Sequence, residues 1–395
     1  MARSFLAVEV SDLCVGKPSL RSLPATATVA DAVSALKRSG EINVGVWSCN
    51  HSDSTVAGND VVSCRCIGKI CMIDVIVYLC KEENLSRPFE ALQTSVLDLV
   101  PEAKGRIRHL EQNSSLLEAI DYILEGAQNL VIPIQKANQR KKHGNSSYFG
   151  ATHHNGKEFC WLTQEDVVRF LLNSIRVFSP IPTLTIETLN IVDTKTLTVH
   201  YDDPASSALP LITRSHFDQT SIAVVNHDNT LIGEISPSTL SCCDETIAPA
   251  ITTLSAGDLM AYIDYNGPPE DLVHLVKKRL DDRNLSAMLD LMDDCNNPSS
   301  SSSSSSDDEC GYGRNGGMRR SYPGRRSEAI VCHPWNTLMA VMVQMIAHRV
   351  GYAWVVKEDY GLVGIVSYRE ILKQFRSIAG VSDNNKHKEE KMKMW

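Results

Sequence analysis

The chain has 395 residues, 43% of them apolar, with a formal net charge of −8 and a pI near 5.9. That length is enough for two domains with real cores, and the acidic balance argues against a nucleic-acid or anionic-membrane surface as the main business. No apolar run approaches a membrane span, since even MIDVIVYLC holds Asp74. The start MARSFLAVEV has neither a signal-peptide core nor an Arg/Ser-rich transit character, so a cytoplasmic or nuclear location is expected.

Residues 1–22 are expected as strand and loop leading into a first unit over 23–81. There Thr28 to Lys37 reads as a helix opened by a Thr-x-x-Asp pattern and stopped near Gly40. VGVW and CIGKICMIDVIVYL follow, separated by the Ser/Asp/Asn-rich stretch Cys49 to Ser63. Arg87 to Val100 links to a second unit over 105–175. It has a helix from Ser115 to Glu125 ending at Gly126, then LVIPI and FCWLTQEDVVRFLL around the polar stretch Lys136 to Lys157. Pro180 and Pro182 mark a boundary, because they stop a helix and hold the backbone extended.

A third unit covers 184–247. In its upstream helix Pro204 suits a start, whereas Pro210 is expected to break the next turns. Its second half, IAVVNHDNTLIGEISPSTL, is strand, Asn/Asp turn, strand and helix start. A helical connector over 255–292 is interrupted at Gly267-Pro268-Pro269 and shows one face of Leu272, Leu275, Val276, Arg279 and Leu280, expected to pack on the second module. The Ser-rich, then acidic, then Gly/Arg-rich stretch 295–327 is expected to be disordered. A fourth unit over 328–378 has a helix from Asn336 to His348, a hairpin about Lys357 to Gly361, and Ser367 where a strand hands over to a helix. A flexible tail over 381–395 closes the chain.

Four β-α-β-β-α units, an α/β fold, account for this self-similarity. Each strand-to-helix handover offers free N–H groups, a hydroxyl and a nearby carboxylate, which suits phosphate, ribose and base contacts. Thr163 and Asp166 carry both side chains in unit 2, and Ser367 with Glu370 comes next in unit 4. Unit 1 keeps Asp74 but has Cys71 for the hydroxyl, and unit 3 keeps Ser236 but has Thr239 for the acid. Ordinary helix capping explains the same residue types equally well.

The units resemble cystathionine-β-synthase (CBS) domains, whose signature is an apolar strand, a turn, G-φ-φ-[Ser/Thr]-x-x-Asp and a helix. With the opening Val10-Ser11-Asp12-Leu13-Cys14-Val15-Gly16-Lys17, the set is similar to plant four-repeat CBS proteins related to the γ-subunit of AMP-activated (SnRK1-type) protein kinase. The resemblance implies two modules, repeats 1 with 2 and 3 with 4, assembled as a pseudo-symmetric disc. It also implies a non-catalytic, energy-sensing regulator that binds AMP, ADP, ATP or another adenosine ligand, through Thr163, Asp166, Ser367, Glu370, Asp74 or Ser236. Kinase catalytic and scaffold subunits are the implied partners, a homodimer stays open, and a protein-interaction scaffold with ligand-free sites is the alternative.

The His-Arg pair by which adenylate-binding members enter the central strand is replaced by Ile42-Asn43, Gln128-Asn129, Gln219-Thr220 and Tyr352-Ala353, leaving Lys157, Arg169, Arg106 and Arg108 to compensate. No catalytic constellation competes: there is no G-x-x-x-x-G-K-[ST], no H-E-x-x-H and no nucleophile elbow. His200, Asp202 and Asp203 near Ser206 are explained by a helix start. Among twelve cysteines there is no Cys-x-x-Cys, and His143, His153 and His154 with Cys160 lack ligand spacing. Buried reduced thiols, no metal and no required cofactor are therefore expected.

Overall fold

The computed structural model describes residues 6–49, 64–100, 106–134, 154, 157–264, 268–294 and 329–378. The stretch 295–327 and the tail 381–395, both expected to be disordered, lie outside them. Repeat 1 consists of β1 (Ser22–Pro24), α1 (Val29–Ser39), β2 (Asn43–Ser48), β3 (Arg65–Cys71) and α2 (Met72–Leu79). Repeat 2 has β4 (Ile107–His109), α3 (Leu116–Leu124), β5 (Asn129–Ile134), β6 (Glu158–Leu162) and α4 (Gln164–Asn173). Repeat 3 has β7 (Leu197–His200), α5 (Leu209–Asp218), β8 (Ile222–Val225), β9 (Leu231–Ile235) and α6 (Pro237–Leu240). The connector forms α7 (Ile247–Thr253), α8 (Ala256–Ile263), α9 (Glu270–Asp282) and α10 (Ser286–Asp294), and repeat 4 has β10 (Val331–Cys332), α11 (Leu338–His348), β11 (Tyr352–Val356), β12 (Leu362–Ser367) and α12 (368–378).

Each repeat builds one three-stranded sheet whose first strand runs parallel to the second and whose third returns antiparallel. The helix between the first two strands is the crossover that a parallel pair requires, and the second and third strands need only a hairpin. Thr28, Ser115 and Thr337 cap the crossover helices, each accepting from the backbone N–H three residues on. All four crossover helices end in a left-handed residue: Gly40, Gly126, Gln219 and Arg349. In repeat 3, Pro210 does not break α5 but lies in its first turn. Its missing N–H would have had no intrahelical partner there, so the expected break becomes a start.

The glycine of the repeated signature has a packing cause. A Cβ on Gly364 would lie 2.6 Å from the Asp193 carbonyl, and one on Gly68 would lie 2.6 Å from Val100. The segment leaving repeat 1 crosses the third strand of that repeat, and the segment entering repeat 3 crosses the third strand of repeat 4, each too closely for a side chain. In repeat 2 Cys160 takes this position, fully buried in one apolar cluster with Cys14.

Residues 6–14 were expected as strand and loop of the first module. They instead form a short helical turn over Val10–Leu13 that pairs with repeat 2 through Val10 N–H to the Ser114 carbonyl. Leu6, Val10 and Cys14, spaced by four, bury one side against that repeat's core.

Two large apolar clusters hold the chain together. One joins the helices of repeats 1 and 3 with the connector, and the other joins those of repeats 2 and 4. Smaller clusters lie between the sheets of repeats 1 and 2 and between those of repeats 3 and 4. Sheets thus meet within a module and helices meet across modules. Val276 and Leu280 of α9 are fully buried in the cluster that joins repeats 1 and 3, and Arg279 and Arg283 donate to the Thr253 and Thr252 carbonyls of α7 at 2.5 and 2.7 Å, so the apolar face packs across both modules rather than on the second alone. No helix among the described residues is long and apolar enough to cross a membrane.

Candidate functional site

Where β6 hands over to α4, Thr163 is the N-cap. Its Oγ1 accepts from the Asp166 amide at 3.3 Å, while its own amide and hydroxyl donate to Asp166 Oδ2 at 2.8 and 2.7 Å. Lys17 Nζ donates to the same oxygen at 2.5 Å. All three donors fall on Oδ2, which leaves Oδ1 of a quarter-exposed carboxylate as an acceptor for something else. Around it an open cleft of about 340 Å³ is lined by Lys17, Leu20, Trp161, Thr163, Asp166 and Arg169, among others. One wall therefore comes from repeat 2 and the other from the segment that enters β1 of repeat 1.

The matching handover in repeat 1 is differently filled. Asp74 Oδ2 accepts from the Cys71 amide at 2.8 Å and its thiol at 3.2 Å, and Oδ1 faces His216 Nε2 of α5 at 3.4 Å. Burial alone would lower the His216 pKa, but the Cys71 thiol and the Asp74 carboxylate carry it up to about 10. Burial alone would raise that of Asp74, and the facing His216 charge and hydrogen bonds hold it below its ordinary value. A helix of repeat 3 thus occupies the carboxylate that repeat 1 would have offered to a ligand.

Ser236 of repeat 3 is 2% exposed. It lies 3.0 Å from the Tyr352 hydroxyl and 2.6 Å from Ser238 Oγ. Tyr352 in turn donates to the buried Glu234 at 2.9 Å, and Trp354 Nε1 donates to the other oxygen at 2.7 Å. Burial and the Glu234 charge push the Tyr352 pKa well above its ordinary value, so the hydroxyl remains a donor. The position is part of the seam between repeats 3 and 4 rather than of an open cleft. In repeat 4 Ser367 Oγ accepts from the Glu370 amide at 3.4 Å, but the Glu370 carboxylate turns along its own helix to Lys373 at 2.6 Å. Its extra methylene gives it the reach to do so.

A model of the CBS domain family matches residues 326–377. Across 392 residues the chain is 45% identical to the CBS domain-containing protein CBSX5 of Arabidopsis thaliana, which covers 95% of this chain and 98% of that one. The chain belongs to the plant CBS domain-containing proteins. It is also 26% identical over 409 residues to CBSX6 of the same plant, covering 94% of each. A solved structure from Methanocaldococcus jannaschii, described as that of a candidate archaeal homologue of g-AMPK, covers 93% of this chain and all of its own at a TM-score of 0.54 and 16% identity, a likeness of fold alone.

Two of the four strand entries that lack a His-Arg pair, those of repeats 2 and 3, serve the seam between modules. Gln128 Nε2 donates to the Phe217 carbonyl at 2.6 Å, and Gln219 Nε2 donates back to the Gln128 carbonyl at 3.1 Å. Of the basic residues expected to compensate, Arg169 reaches the cleft of repeat 2. Arg106 instead lies over Phe217 at 4.2 Å, Arg108 lies over Tyr122 at 5.5 Å, and Lys157 borders a separate groove with Gln112 and Pro133. Lys17 and Trp161 were not singled out in the sequence, although both stand in stretches that carried the resemblance. Nothing in the spacing signals that residue 17 meets residue 166.

Proposed function

We propose that the chain is a non-catalytic regulatory protein that takes one adenosine-containing ligand in the cleft of CBS repeat 2. The observation that carries this is the geometry of Asp166, which lines an open cleft: one of its oxygens is held by three donors, which leaves the other as an acceptor. A carboxylate fixed in this way is suited to accept from the two hydroxyls of a ribose, with Trp161 as an apolar face for the base and Lys17 and Arg169 near a phosphate. The volume of about 340 Å³ lies at the lower end of the roughly 300–1,000 Å³ typical of small-molecule sites.

Charge narrows the ligand class. Lys17 and Arg169 face Glu41, Glu165 and Asp166, so the lining carries one more negative than positive charge. Adenosine, AMP or S-adenosylmethionine should therefore bind ahead of ATP, whose polyphosphate would meet that excess. Bound ligand would bridge the two repeats of the first module and so bias the surface they share with a partner. In the γ-subunit-like reading that partner is a SnRK1-type kinase complex.

The second reading is a protein-interaction scaffold without ligands. It is favoured by the carboxylates of Asp74 and Glu370, which already have partners, and by the glutamines at the strand entries. Isothermal titration of the full chain with adenosine, AMP, ADP, ATP and S-adenosylmethionine, repeated on Asp166→Ala, separates the two. One saturable site, weaker for ATP and lost in a variant whose melting temperature shows it folded, supports the sensor. No heat with any ligand up to millimolar concentration leaves the scaffold.

A further inference from the structure

Away from the cleft, three side chains converge that are far apart in sequence. Cys49 follows β2, Cys64 precedes β3 and His154 precedes β6, and their two sulfurs and a ring nitrogen all lie within 4.8 Å of one another. His154 Nδ1 stands 3.1 Å from Cys49 Sγ, and its Nε2 stands 3.1 Å from Ser22 Oγ. The ring is 7% exposed and lies flat on the indole of Trp47, with centroids 3.7 Å apart and planes 4° apart.

We propose that Cys49, Cys64 and His154 form a binding site for a thiophilic divalent cation of the zinc class, which would clasp CBS repeats 1 and 2 at the edge of their shared sheet interface. Two thiols and an imidazole are a soft, nitrogen-containing donor set that suits zinc and disfavours calcium and magnesium. The ring is held as a ligand should be. With Nε2–H donating to the Ser22 hydroxyl, the lone pair of Nδ1 is directed at the thiols, and the stack on Trp47 fixes the plane.

For Cys49 and His154 the spacing is close to what a cation requires. Tetrahedral bonds of about 2.3 Å to sulfur and about 2.0 Å to nitrogen place those donor atoms about 3.5 Å apart. The observed 3.1 Å need open only slightly. On binding, both thiols lose their protons to solvent and no group is oxidised or reduced. Solvent completes the fourth position.

A second triad, Cys71, Asp74 and His216, is equally compact, but its cysteine and carboxylate are committed to each other as the cap of α2 and its imidazole to the same carboxylate. It therefore serves as the internal control. Full-length protein freed of metal with a chelator is titrated with cobalt(II), followed by the thiolate-to-cobalt charge-transfer absorption, and then with zinc(II). The expected result is one equivalent of cobalt with a charge-transfer band that zinc displaces. The band should be lost in Cys49→Ser and in Cys64→Ser and kept in Cys71→Ser. Ser22→Ala removes only the orienting hydroxyl and should weaken cobalt binding about 10- to 100-fold, which keeps the test open should a cysteine variant fail to fold. The proposal is overturned by the absence of a band, by a band that survives Cys49→Ser or disappears in Cys71→Ser, or by unchanged affinity in Ser22→Ala. It is equally overturned if peptide mapping finds Cys49 and Cys64 joined as a disulfide in freshly purified protein.

Discussion

Asp74 and Asp166 hold the same place in successive repeats, three residues into a helix whose cap each completes. Their neighbours divide their roles. Asp166 is held by a lysine from the chain entering repeat 1 and lines an open cleft, whereas Asp74 is met by His216 from another module. The second pair makes stability depend on pH. Because the folded His216 pKa is raised from 6.5 to about 10, its contribution is complete below 6.5 and is lost as pH rises through about 10. Because the folded Asp74 pKa lies below its ordinary 3.8, its contribution is present above that value and is lost as pH falls below it. The difference in urea midpoint between wild type and His216→Gln should therefore be greatest between about pH 4 and 6.5 and shrink toward pH 10. A difference that stays constant over that range would show that the pair contributes no charge interaction.

Elements show why the fold was more legible than the site. Helix caps, left-handed helix ends and period changes are local signals, and Thr28, Ser115, Gly40 and Gly126 announce them within a few residues. Pro210 reads as a helix breaker in the sequence and is none in the structure, because its cost depends on whether it falls in a first turn or a later one, which hinges on where the helix begins. Thr163 and Asp166 were legible as a helix cap, because the pair stands at the capping spacing. Lys17, Trp161 and His216 were not, since their roles arise from contacts between repeats that sequence separation conceals. The same holds for Cys49, Cys64 and His154.

The hairpins of repeats 3 and 4 carry a prediction of their own. They join as near-symmetric mates, Leu231 N–H to the Tyr360 carbonyl and Leu362 N–H to the Asn229 carbonyl, each at 3.0 Å. Asn229 and Tyr360 hold equivalent left-handed positions at φ 57° and 61°. Asparagine adopts that region at less cost than tyrosine, and Tyr360 is 53% exposed, so Tyr360→Asn should stabilise the chain by about 1 kcal/mol. A melting temperature unchanged or lowered would show that the tyrosine ring contributes more by packing than its backbone costs.

In the whole molecule, sheets pair within modules and helices pair across them. The helices of repeats 2 and 4 are tied by Arg376 to Asp121 at 2.5 Å and by Arg369 to the Leu124 carbonyl at 2.7 Å, and α1 of repeat 1 is tied to the turn before α7 by Lys37 to Glu245 at 2.6 Å. Most of these charged groups are partly exposed, and each such pair contributes up to about 1 kcal/mol. The continuous apolar clusters hold the modules together more strongly than these pairs do, and through them a ligand between repeats 1 and 2 would be felt in repeats 3 and 4.

Everything proposed for regulation rests on which cleft is occupied, and a structure of the full chain crystallised with AMP reads that directly. Density is expected between Lys17 to Leu20 and Trp161 to Asp166, with a ribose hydroxyl on Asp166 Oδ1 and the other three strand-to-helix turns without ligand. Density at Ser367 and Glu370, or at Asp74, with the repeat 2 cleft empty would contradict it.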